Sequence, residues 1–72
     1  MTHQTKWIIR RHDPVSNRWN FLWFKDGRVV WHDNTPTSCT RFDNEDVAIA
    51  MLELGQRHTW SGVFVIEKIY VL

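Results

Sequence analysis

The dipeptide Asp26-Gly27 joins two short runs, RWNFLWFK (18–25) and VVWH (29–32), that are dense in aromatic and β-branched residues. Both central positions of a two-residue type I′ hairpin need positive φ, so Asp-Gly between apolar runs is a strong local instruction to turn. The turn sets Lys25 opposite Arg28, Phe24 opposite Val29, Trp23 opposite Val30, Leu22 opposite Trp31 and Phe21 opposite His32. Residues opposed across an antiparallel pair share a face. One face therefore carries Leu22, Phe24, Val29 and Trp31, with Asn20 toward its end, and the other carries Trp19, Phe21, Trp23, Lys25, Arg28, Val30 and His32.

Upstream, KWIIRRH (6–12) reads as a strand, separated from the second by the turn-like Asp13-Pro14-Val15-Ser16-Asn17. The first half is thus a three-stranded antiparallel meander. Residues 33–42 are polar with one proline and read as a loop. A helix of about three turns is expected next, with Asp43 as N-cap, Asp46 completing a capping box and Phe42 stapling onto Val47. Val47, Ala50, Met51 and Leu54 would form its apolar stripe, and Gly55 its C-terminal stop. VFVIEKIYVL (63–72) reads as a fourth strand. The fold class is α+β: one two-layer domain over residues 1–72, in the order β-β-β-α-β. A right-handed crossover through a helix would lay the fourth strand parallel to the third, either beside it or beyond the first.

At 72 residues the core is thin, and the lone Cys39 offers no intramolecular disulfide to support it. Aromatics must supply much of the packing, and five tryptophans do so: Trp7, Trp19, Trp23, Trp31 and Trp60. The polar start, MTHQTK, has no signal-peptide pattern, and no apolar run reaches the ~20 residues of a membrane span. A lone thiol suits a reducing compartment, so the expectation is a cytoplasmic protein that does not enter membranes. The formal net charge of +1 hides an asymmetry. Residues 1–32 hold six Lys or Arg against two acids, whereas residues 33–72 hold three against six. The basic half is also the tryptophan-rich half.

One helix can cover only one side of a four-stranded sheet. The face holding Leu22, Phe24, Val29 and Trp31 has no charge in its middle and suits the helix better. Trp19, Phe21 and Trp23 then remain on the open side, edged by Lys25, Arg28 and His32. Strand one adds Lys6, Ile8, Arg10 and His12 or else Trp7, Ile9 and Arg11, because a one-residue shift in the first hairpin flips every side chain. Arg10 and Arg11 therefore both stand as candidates. In the converse arrangement the helix covers Trp19, Phe21 and Trp23, and Leu22, Phe24 and Trp31 lie partly exposed or under the loop around Thr37 and Trp60. Either way an apolar patch is left over, and contiguous exposed patches mark interfaces.

The histidines His3, His12, His32 and His58, with Cys39, lack metal-ligand spacing, so no metal or other cofactor is expected. Asp43, Glu45 and Asp46 are explained by a helix start, and no serine lies in a nucleophile motif. The expectation is a non-enzymatic binding module acting through Trp19, Phe21, Trp23, Lys25, Arg28, His32, Arg10 and Arg11. Its partner would be a protein, either a second copy in a homodimer joined through sheet faces or an acidic target. Small inhibitors and accessory factors of this composition are the kind of chain that bacteriophages encode. The alternative is single-stranded RNA or DNA, with bases stacked on the same aromatics. A net charge of +1 and the lack of an RNP-like motif rank it second.

Overall fold

The computed structural model describes residues 4–32, 39–58 and 60–71. Four strands, β1 (Gln4–Asp13), β2 (Arg18–Lys25), β3 (Arg28–His32) and β4 (Val63–Val71), and one helix, α1 (Glu45–His58), follow in the order β-β-β-α-β. The strands form one sheet, β3-β2-β1-β4, so β1 is interior and β4 an edge. The Asp26-Gly27 turn has both residues at positive φ, 54° and 74°, and the β2–β3 register is the one the dipeptide dictates.

The first hairpin closes with four residues. Asn17 takes a left-handed φ of 58° and donates its backbone N–H to the Asp13 carbonyl at 2.8 Å, which pairs Asp13 with Arg18 and Arg10 with Phe21. This resolves the open register: Lys6, Ile8, Arg10 and His12 share a face with Trp19, Phe21 and Trp23, while Trp7, Ile9 and Arg11 turn to the other side.

The fourth strand differs from expectation. It pairs antiparallel with β1 from Gln4↔Val71 to His12↔Val63, so it runs opposite to β3 rather than parallel to it. The physical reason lies in residues 40–42. Below Arg10, β1 and β2 separate, and this segment enters between them. Thr40 donates its N–H to the Leu22 carbonyl at 2.9 Å, its hydroxyl accepts the Phe24 N–H at 2.6 Å, and Phe42 exchanges both backbone hydrogen bonds with Trp7 at 2.8 and 2.9 Å. The chain therefore crosses the sheet once before the helix begins, and the helix carries it back. Two traverses replace the single crossover that the parallel rule assumes. The remainder of the expected 33–42 loop, residues 33–38 with Thr37, lies outside the described residues.

The helix is also shifted from its expected frame. Asn44 is the N-cap rather than Asp43, its Oδ1 accepting the Val47 N–H at 3.0 Å. Asp43 instead forms an ion pair with Lys6 that fixes the helix entry to β1. The stripe facing the sheet contains Ala48, Met51, Leu52 and Gly55, so Val47 and Leu54 are exposed, and Phe42 packs on the core rather than stapling to Val47. The helix spans 14 residues and does not stop at Gly55.

Ile9, Leu22 and Ala48 form the buried centre, with Trp7, Val29, Trp31, Phe42, Met51, Trp60, Phe64 and Ile66 packed round it. Burying one such aliphatic side chain contributes about 1.5–3 kcal/mol, so so small a centre depends on its aromatic surround. Trp31 and Trp60 meet edge to face with centroids 5.1 Å apart, and Phe64 lies against both. The Trp60 indole lies directly over Gly55, and a Cβ at that position would overlap the ring. Gly55 is retained mid-helix for this close approach, against an intrinsic cost of about 1 kcal/mol relative to alanine. Gly55→Ala should therefore lower stability in urea unfolding by about 1–3 kcal/mol despite the better helix former. In a Trp60→Ala background the same change should become neutral or stabilising; equal losses in both backgrounds would refute the contact.

Candidate functional site

The helix contacts β1 and β4 on the Leu22 side, leaving the opposite face of the sheet without a covering layer among the described residues. At 14 residues the helix is about 21 Å long, about half the 41 Å long axis of the molecule. Strand alternation and the observed registers place Lys6, Ile8, Arg10 and His12 of β1 on the open face. They stand beside Trp19, Phe21, Trp23 and Lys25 of β2, Arg28, Val30 and His32 of β3, and Val63, Val65, Glu67 and Ile69 of β4.

Side chains on this face form two cation–aromatic groups. The Arg10 guanidinium lies 4.8 Å from the Trp19 ring centroid, and the His12 ring meets Trp19 edge-on at 5.3 Å. Four residues further along β2, Lys25 Nζ lies 5.6 Å from the Trp23 ring and His32 tilts against the same indole at 4.7 Å. Positions four apart on one strand are about 13 Å apart, with Phe21 between them. Trp19 is 39% exposed, whereas Phe21 and Trp23 are half-buried. Such pairs lay the long cationic side chains over apolar surface.

Of the expected site residues, Trp19, Phe21, Trp23, Lys25, Arg28, His32 and Arg10 share this face. Arg11 does not. It pairs with Asn20 and Phe64 on the helix side, where its guanidinium lies 5.3 Å from the Trp31 ring and 3.8 Å from Asp13. Of three further members, Glu67 was not singled out from the sequence, and Ile8 and His12 were expected here in only one of the two registers of β1. Glu67 interrupts an apolar strand and places Oε2 2.9 Å from Arg10 Nε, close enough for charge pairing although the N–H is not aimed at it. Ile8, directly opposite Glu67, is fully buried although it faces away from the helix. His12 stacks on Trp19 and has Nε2 2.9 Å from Asn17 Oδ1. The left-handed Asn17 closing a four-residue loop fixes the first register and with it Ile8 and His12, whereas Glu67 is placed by the pairing of β1 with β4.

Two other groups bear on chemistry. Burial pushes the half-buried Cys39 thiol up, against the opposing pull of its own backbone hydrogen bond, so its thiolate fraction at neutral pH is reduced. No cluster of three metal-ligating side chains and no cavity occurs among the described residues, and no helix is long and apolar enough to cross a membrane. Compared with protein-family models, curated proteins and solved structures, the chain matches none.

Asp13 holds the loop that carries this face. Its Oδ1 accepts the Val15 N–H at 2.9 Å and its Oδ2 the Ser16 hydroxyl at 3.1 Å. The Val15 bond, helped by Ser16 and Arg11, lowers its pKa below the ordinary 3.8. A carboxylate favoured in the folded state stabilises fully above the unfolded value and loses that contribution as pH falls through the lowered one. Thermal melts of Asp13→Asn should thus fall short of wild type at pH 6, and the gap should close as pH falls from there through the lowered carboxyl value. A gap that is unchanged across this range would remove the carboxylate from the loop's stability.

Proposed function

We propose that the chain is a non-enzymatic protein-binding module of the cytoplasm, an inhibitor or accessory factor that grips an acidic protein surface with its open sheet face. The observation that carries this reading is the repeated pairing of a cation with an indole, Arg10 on Trp19 and Lys25 on Trp23. Arginine and tryptophan are the residues enriched in binding hot spots, and here they come already packed together, which limits the entropy lost on binding. Charge defines the partner. Lys6 and Arg10 are balanced by Asp43 and Glu67, whereas Lys25 and Arg28 stand together at the other end of the face, so two such faces repel there and a sheet-to-sheet homodimer is disfavoured.

Base stacking needs a bare aromatic face. Both indoles already carry a cation and a histidine ring, and a base would have to displace the side chains that would serve its phosphates. Single-stranded nucleic acid is for that reason the second reading.

Immobilised chain should retain a protein from extract of its native cell, release it as salt rises, and lose it on Trp23→Ala or Lys25→Gln. Tryptophan fluorescence should ignore oligo(dT) at about 20 mM salt. Retention indifferent to both substitutions would overturn the sheet face as the site. Quenching by oligo(dT) that weakens steeply with salt would move the function to nucleic acid.

A further inference from the structure

The helix shows solvent more apolar surface than its packing explains. Val47 is 49%, Ile49 37% and Leu54 53% exposed, although Ala48, Met51, Leu52 and Gly55 already meet the sheet. At 3.6 residues per turn, Asp46, Ala50, Glu53 and Arg57 form the ridge farthest from the sheet, with Val47 and Leu54 on one flank and Ile49 on the other. The ridge carries the acids Asp46 and Glu53 over its first three turns and is basic only at Arg57. Asp46 and Glu53 stand seven residues apart, about 10.5 Å along the axis. On the sheet face, the Arg10/Trp19 and Lys25/Trp23 pairs are centred on strand positions about 13 Å apart, a difference that long cationic side chains span. Between the acids lies the small Ala50, opposite the place where Phe21 stands between the cations.

We infer that the acidic surface fitting the sheet face is the helix ridge of a second copy of this chain, docked head to tail. The inference rests on the sheet face being a protein-binding surface and names its partner. Charge favours this arrangement. Two sheet faces repel through Lys25 and Arg28, Lys6 and Arg10 being already paired with Asp43 and Glu67, and two ridges laid parallel repel through Asp46 and Glu53. Joining β4 edges about a two-fold axis at mid-strand sets Glu67 against Glu67 or Lys68 against Lys68, and like charges opposed across a ladder destabilise it. Sheet on ridge sets Lys25 and Arg28 against Asp46 and Glu53. The contact is heterologous, so every added copy leaves one sheet face and one ridge free, and growth continues unless a ring closes. A single helix ridge offers less than the about 800 Å² per partner of a standard interface, which makes the association weak and dependent on salt.

The test measures mass by light scattering for wild type, for Asp46→Asn/Glu53→Gln and for Lys25→Gln/Arg28→Gln, with circular dichroism confirming that each is folded. At about 0.5 mM protein and low salt, wild type should exceed twice its 8.7 kDa mass and return to monomer in about 0.5 M salt. Each double variant alone should associate at least tenfold more weakly. Mixed, they should form a one-to-one complex that grows no further, since the first retains its charged sheet face and the second its acidic ridge. Should a double variant not fold, Glu53→Gln and Lys25→Gln singly carry the same mixing test. A wild type that stays monomeric, or a mixture that does not pair, overturns the inference. Loss of the native partner on Trp23→Ala in a monomeric wild type would leave the sheet-face site standing and remove only the second copy from it.

Discussion

Everything in this fold follows from the backbone pair between Trp7 and Phe42. An interior strand needs hydrogen-bond partners on both sides, yet β1 meets β2 only from Arg10 to Asp13. Without residues 40–42 the lower half of β1 would leave its polar groups unpaired beside the core, at a cost of about 1–3 kcal/mol for each buried group. Phe42 satisfies Trp7, Thr40 satisfies Leu22 and Phe24, and the helix N-cap follows two residues later at Asn44. Once that entry is fixed, the helix lies over β1 and β4 and its direction sets the direction of β4. The open face is the remainder of this arrangement.

Part of the apolar surface on the open face is sheltered by its own side chains, while Trp19, Val30 and Val63 stay exposed. Arg10 and Lys25 lie over indoles, and Ile8 is fully buried beside the Arg10–Glu67 pair with no helix above it. A sheet face can in this way be apolar in content and charged in what it presents, a combination suited to selective association more than to general stickiness.

Much of this was legible in the residues. Asp26-Gly27 fixed the second register and with it the companions of Trp19, Phe21, Trp23 and His32, because the turn demands positive φ at both positions. The meander, the helix and the last strand followed from turn chemistry and periodicity. What stayed hidden has physical causes. Asn17 closes the first loop in a conformation no flanking dipeptide announces, so Arg11 could not be told from Arg10. The helix carries two adjacent apolar stripes, and Val47/Ala50/Leu54 is as periodic as Ala48/Met51/Leu52/Gly55. Only the Trp60 ring, which requires a glycine beneath it, decides between them. The wedge at 40–42 is three residues of ordinary loop composition, invisible to any pattern yet enough to reverse β4.

The pairing of β1 with β4 also sets when the molecule can become itself. The interior strand comes from the first residues of the sequence and one of its two neighbours from the last, with contacts as distant as Gln4 and Val71. Sequence-distant contacts carry the largest loop-closure cost and slow folding. A growing chain therefore holds β1 with one long flank bare until residues near 71 emerge, and then completes the sheet in one cooperative step. The same flank is, until that moment, the place where this sequence is most open to pairing with something else.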